Sequence, residues 1–257
     1  MHTEILVPVD STPGGIQISD YSDTFSHLKT KRFSGFFLRD FFSKSEKSKI
    51  DPVIEVERIE LEGELEAEAQ HINLPFKLLD YQSNLQSLVY QSRFADVMVV
   101  GSFSPEMAAY FDRLFPEKLL SSIHCPLYLI SKSTNDFQEI VFVFDCSVSS
   151  LAALKSFISM FGDKYYNTRI TIVTVCPEQE AGVYFEKHLI DYVQNLFEDV
   201  GILPMSNKNL IENLINYGSK STKPLLIMGQ SALELIESKT FLKRIAGEGM
   251  SLFYSNN

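Results

Sequence analysis

One pattern occurs twice along the chain, and it limits the fold more than any other feature. Ile5 to Asp10 reads Ile-Leu-Val-Pro-Val-Asp and Ile140 to Asp145 reads Ile-Val-Phe-Val-Phe-Asp, each an apolar run closed by aspartate and followed by small turn residues. Val97 to Gly101 is matched by Leu225 to Gly229, and Pro126 to Ser131 by Met250 to Ser255. The paired ends Asp10 and Asp145, Gly101 and Gly229, and Ser131 and Ser255 lie 135, 128 and 124 residues apart. Separations that shrink steadily are those of a duplicated unit whose second copy has lost loop residues. The polar, aperiodic stretch 132–138 marks the boundary and predicts units at 1–134 and 138–257.

Eight short apolar runs read as strands: 5–9, 33–38, 97–100, 126–130, 140–144, 170–175, 225–228 and 251–254. Most lack polar alternation, which is the mark of a sheet covered on both faces. Between them lie segments of helical period. Leu151, Leu154, Ile158 and Phe161 form one stripe, with Ser149 or Ser150 as cap and Gly162 as stop. Phe185, Leu189, Val193 and Phe197 form a second, closed by Gly201, and Leu210, Leu214 and Tyr217 a third. Residues 54–69 alternate glutamate with apolar residues, as a half-exposed strand would. Their Leu, Glu and Ala content, with Asp51 and Pro52 as cap and first turn, favours a helix. Alternating strands and helices predict an α/β fold, two tandem units that are each a five-stranded parallel sheet with helices on both faces.

Composition narrows the function. A net charge of −10 repels phosphate backbones and anionic lipid, so neither nucleic acid nor a membrane is the expected partner. No apolar run approaches the roughly 18 residues of a membrane span, and no secretory signal opens the sequence; both point to the cytoplasm. Cys125, Cys146 and Cys176 are odd in number and widely spaced, and the five histidines are scattered. That spacing predicts structural thiols and no metal site.

These landmarks resemble the universal stress protein family. Its unit opens with a strand like residues 5–10, reaches its fourth strand through an Ala-Asp pair, here Ala95 and Asp96, and continues as in Val97 to Ser102. It begins its fifth strand with a Cys-Pro pair, here Cys125 and Pro126. The second half keeps Asp145 with Ser147, the helix through Ala152 to Lys155, and Met228 with Gly229. The resemblance implies an adenine nucleotide at the carboxyl ends of the strands, where open α/β sheets bind ligands. It places Pro8, Val9, Asp10, Leu38, Gly101, Ser102, Asp145 and Gly229 at that site. It also implies pairing of the units through their fifth strands into an internal pseudo-dimer, and beyond that a homodimer.

The family's phosphate loop is Gly, two residues, Gly, nine residues, Gly, then Ser or Thr. Here Gly101 is followed by Ser104 and by Leu114 with Phe115, while Gly229 is followed by Ala232 and by Leu242 with Lys243. Each copy retains one glycine of three, and a side chain where glycine belongs blocks backbone amides from phosphate oxygens. Asp10 and Asp145 read either as ligand-facing groups or as caps of the next turn. Gly101 and Gly229 read either as ligand approaches or as tight turns. No catalytic elbow, zinc helix or Gly-Lys-Thr loop occurs. Three readings follow: a non-enzymatic stress-response binding protein with degenerate phosphate loops and no cofactor, an ATP-binding protein with slow hydrolysis or phosphotransfer, or an adenosine-type pocket built on Asp10, Val9 and Phe36 to Leu38. A small adenine-like ligand or a protein partner is expected.

Overall fold

The protein is described from a computed structural model covering residues 2–9, 19–37, 52–79, 85–103, 122–131, 137–175, 180–220, 224–232 and 239–256. It is an α/β chain of mostly parallel strands, in two compact units. Met1–Gly101 with Ser122–Cys125 forms the first, and Ser102–Ser121 with Pro126–Asn257 the second.

In the first unit the strands are β1 (Thr3–Val9), β2 (Lys31–Phe37), β3 (Phe76–Leu78) and β4 (Val97–Phe103), in the order β3-β2-β1-β4, all parallel. Helices α1 (Ser19–Thr24), α2 (Pro52–His71) and α3 (Leu85–Ser92) lie between them in sequence. Pro8 sits inside β1, where a missing N–H would weaken a ladder. The pairing of β1 with β4 runs through Ile5 and Leu6, upstream of the proline. The Ala-Asp pair has a mechanical reason. Asp96 donates its N–H to the Glu4 carbonyl at 2.8 Å and accepts the Glu4 N–H on Oδ2 at 2.8 Å, pinning the start of β4 to β1.

Residues 54–69 are helical, inside α2. Leu65 and Ala69 are buried one turn apart, while Glu60, Glu64 and Glu66 face solvent. Helix propensity won over apparent alternation there because glutamates two apart spread around a helix and need no common face.

The second unit holds β5 (Leu127–Ser131), β6 (Glu139–Phe144), β7 (Arg169–Thr174), β8 (Val200–Pro204), β9 (Pro224–Met228) and β10 (Ser251–Tyr254). Their order is β5-β10-β9-β6-β7-β8, parallel throughout except that β5 runs antiparallel to β10. The helices are α4 (Val148–Tyr165), α5 (Glu180–Gln194), α6 (Leu210–Gly218) and α7 (Lys239–Gly247). Strands β5, β6, β9 and β10 are buried at every position, as the unbroken apolar runs require. Tyr128, Phe157, Phe161 and Phe253 pack edge-on and tilted, 5.3–6.2 Å between ring centres, and tie α4 to β5 and β10.

Two expected helix stops are corrected. Gly162 lies inside α4, which runs on to Tyr165, and the cap is Ser147 instead of Ser149 or Ser150. Gly201 lies in β8, well past the end of α5 at Gln194. A methyl there would stand 3.1 Å from Arg169 Nη2 and 3.2 Å from Thr171 Oγ1, so this glycine clears side chains of β7.

A carboxylate clamp recurs in both units at the amino ends of the strands, half-buried at Glu4 and buried at Glu139. In the first, Glu4 accepts from Arg32 Nε at 2.7 Å and from the Ser34 hydroxyl. In the second, Glu139 accepts from Thr171 Oγ1 at 2.6 Å and from the Tyr217 hydroxyl at 2.7 Å, with Arg169 Nε 3.9 Å away. Glu4 is in register with Arg32, and Glu139 with Arg169. A carboxylate that loses hydration needs several donors: the neighbouring strand supplies them to Glu4, and the neighbouring strand together with Tyr217 of α6 supplies them to Glu139.

Candidate functional site

In a sheet ordered 3-2-1-4, helices leave strands 1 and 4 in opposite directions, and the crevice at their carboxyl ends is the standard ligand position. In the first unit that crevice lies between β1 and β4. Pro8 and Val9 are there and buried. Asp10 and Leu38 lie outside the described residues, as does Ser104; Ser102 lies on β4.

Gly101 has a partner that sequence reasoning missed. Its N–H donates to the hydroxyl of Tyr21 at 2.7 Å, in a buried bond spanning 80 positions. Tyr21 is 0% exposed and stacks on Phe33 with ring centres 6.4 Å apart. A methyl at Gly101 would stand 2.7 Å from both Cε1 and Oη of Tyr21. Close approach is therefore the reason for glycine here, and what approaches is the protein's own phenol. Neither a bare turn nor a ligand is needed to explain it.

In the second unit the crevice lies between β6 and β9, and the structure brings Asp145 and Gly229 to it. Asp145 Oδ1 accepts from the Ser147 N–H at 3.0 Å and from the Ser147 hydroxyl at 2.6 Å. Ser147 caps α4, accepting the Ser150 N–H at 3.1 Å, and its oxygen also lies 2.9 Å from Ser149 Oγ and 3.5 Å from Ser231 Oγ. A hydroxyl has one proton and two lone pairs; with the proton on Asp145 and one lone pair on the Ser150 N–H, the remaining lone pair accepts from Ser149, the nearer of the two other hydroxyls. Asp145 thus orders the cap at one remove. Gly229 again marks a close approach, since a methyl there would meet Ser150 N at 2.5 Å and the carbonyl carbon of Ser149 at 2.6 Å. The first turn of α4 rests on this glycine. Ser147, Ser149 and Ser231 were not foreseen as one cluster, although Ser-x-Ser-Ser after the strand is a visible cap signal.

The cluster offers polar oxygen atoms and a carboxylate but pairs no nucleophile with a base such as histidine. Among the described residues no group of three or more His, Cys, Asp or Glu is placed to hold a metal ion, and no helix is long and apolar enough to cross a membrane.

The thiols differ. Cys125 is free, 4% exposed, and pushed up to about 12 from an ordinary 9.0 mainly by burial. A thiol whose folded value is raised stabilises the fold below its unfolded value, and that contribution disappears as pH climbs toward the folded one. A rise from 9.0 to about 12 corresponds to about 4 kcal/mol. Stability is thus expected to fall between pH 9 and 12, and urea melts of Cys125→Ala should show a shallower fall over that window. Equal slopes would refute the assignment. Cys146 is disulfide-bonded and not a free thiol, correcting the expectation for it: spacing along the sequence does not measure spacing in the fold.

No protein-family model matches the sequence, and no curated protein matches it. Solved structures do match the fold. A universal stress protein from Archaeoglobus fulgidus superposes with a TM-score of 0.68 at 13% identity, over 99% of this chain and 96% of that one. A candidate universal stress protein from Pseudomonas aeruginosa gives 0.59 at 13% identity, over 98% and 92%. A protein of unknown function from the same species gives 0.56 at 11%, over 98% and 92%. The fold is that of universal stress proteins along nearly the whole chain.

Proposed function

We propose that the chain is a tandem universal stress protein, cytoplasmic and non-enzymatic, whose two phosphate loops no longer hold a triphosphate and which serves as a stress-response binding module. The observation that supports this reading is the Tyr21 hydroxyl on the Gly101 amide: the main-chain donor of the one glycine the first loop retains is already satisfied by a buried phenol. In the second unit the corresponding glycine carries the first turn of α4.

The tandem reading, with copies at 1–134 and 138–257, draws support from three sides. The strand orders β3-β2-β1-β4 and β8-β7-β6-β9-β10 follow one scheme. The glutamate clamp recurs in register. Strand β5, last of the first copy, pairs antiparallel with β10, last of the second, as a two-fold internal pseudo-dimer would have it. Asp145, Ser147 and Ser231 favour the second unit as the place where a small polar ligand, an adenine nucleoside among the candidates, would bind.

Thermal shift with ATP, ADP, AMP and adenosine tests the proposal. A ligand at 100 times its Kd adds about 2.7 kcal/mol, a shift of several degrees. The expected result is no shift specific to the triphosphate. An ATP-specific shift, with magnesium-dependent phosphate release that is lost in Asp10→Ala, would establish the ATP-hydrolysing reading instead.

A further inference from the structure

We propose that the outer edge of β8 is a docking surface for a second copy of this chain, the two β8 strands pairing antiparallel about a two-fold axis at Ile202. Among the described strands β8 ends the strand order of the second unit and has β7 as its one neighbour. Two hydrogen bonds fix which backbone groups that pairing uses. The Ile170 N–H donates to the Asp199 carbonyl at 2.9 Å, and the Met205 N–H donates to the Thr174 carbonyl at 2.8 Å. Bonding groups alternate along a strand, so positions 199, 201, 203 and 205 turn toward β7. Val200, Ile202 and Pro204 then turn their backbone groups outward. The open edge offers the N–H groups of Val200 and Ile202 and the carbonyls of all three, since proline carries no N–H.

The side chains of these three residues share one face of the strand. Ile202 is 48% exposed, Pro204 is exposed and Val200 is half-buried. That face is apolar throughout. Edge strands that stay single are guarded by lysine or by an inward-pointing charge, and this one has neither.

Its proline selects the partner. An antiparallel copy centred on Ile202 sets Pro204 opposite Val200 of the second copy, where a proline has only to accept. Val200 N–H then meets the Pro204 carbonyl, and the two Ile202 residues exchange N–H and carbonyl, so every outward donor of both strands is used. Val200, Ile202 and Pro204 of both copies line up on one face as a single apolar stripe. Charge agrees with this direction. The exposed Glu198 and Asp199 precede β8, and the first charged residue after it is the exposed Lys208. Antiparallel pairing brings the acidic start of one strand to the end of the other that leads to lysine. A two-fold contact of this kind uses the same patch twice and closes at two chains.

Sedimentation velocity of the full chain tests the pairing. So short a contact lies at the weak end of protein interfaces, so a dimer with Kd on the order of 0.1 mM is expected. Ile202→Lys should raise that Kd about tenfold or more, by putting a charge on the axis. Tyr90→Lys, at a 53% exposed aromatic of the first unit, should leave it unchanged. Should Ile202→Lys lower the melting temperature, Ile202→Thr reads the same contact with a β-branched side chain kept in the strand, and it too should weaken the dimer. Amide exchange over 200–204 should slow as the parent chain is concentrated, because the outward N–H groups become bonded. A single-chain mass up to about 1 mM, well above such a Kd, a dimer indifferent to both Ile202 variants, or growth beyond two chains would each overturn the proposal.

Discussion

Tyr21→Ala is expected to destabilise the chain by about 4 kcal/mol, the range for removing a fully buried aromatic side chain. Two losses combine. The ring leaves a cavity against Phe33 and Phe25, all three of these rings being 0% exposed, and the Gly101 N–H loses its acceptor. Tyr21→Phe separates them, since it keeps the ring and removes the hydroxyl. It should cost about 1–2 kcal/mol, the penalty for a buried donor left alone. Urea denaturation of the three chains reads both numbers. If Tyr21→Phe matches the parent within a few tenths, the hydroxyl is not what satisfies Gly101, and the claim that the first unit is occupied by its own side chain fails with it.

The second large effect concerns Gly229. Alanine there should cost about 3 kcal/mol, at the upper end of overpacking penalties. The new methyl would meet backbone atoms of Ser149 and Ser150 at 2.5–2.7 Å, and backbone at a helix start cannot swing aside as a side-chain tip can. Relief requires α4 to lift from β9, which also pulls Ser147 from Asp145 and Ser231. Gly63→Ala is the matched control. It lies inside α2 with nothing within 4 Å of the added carbon, so it should gain about 0.5–1 kcal/mol from helix propensity alone. A neutral Gly229→Ala in the same urea series would mean that the helix does not rest on that glycine.

What the sequence made legible was whatever is written locally. The eight mostly apolar runs mark strands because burial on two faces disfavours polar interruption. Strands β3 and β8 escaped notice because each lies at the edge of its unit. Phe76–Leu78 is three residues long, and Val200–Pro204 contains Gly and Pro and leaves Ile202 48% exposed, so neither carries an apolar run. Caps and stops drifted for a similar reason: Ser147, Ser149 and Ser150 are equally good caps by type, and only the Asp145 carboxylate selects the first. The candidate site was half legible. Asp145 and Gly229 could be named because each closes a strand. Tyr21 could not, because its partner is 80 positions away and no local pattern sets a phenol against a particular glycine.

The antiparallel seam between β5 and β10 has a consequence for synthesis. Strand β5 leaves the ribosome about 120 residues before β10, and at 5–20 residues per second the wait is on the order of 6–25 s. Throughout that interval the β5 edge that β10 will cover is open, with Leu127, Tyr128 and Leu129 beside it. A nascent chain in this condition is a template for another strand, so the slow closing of this seam makes the growing polypeptide a client for chaperones that bind unpaired edges.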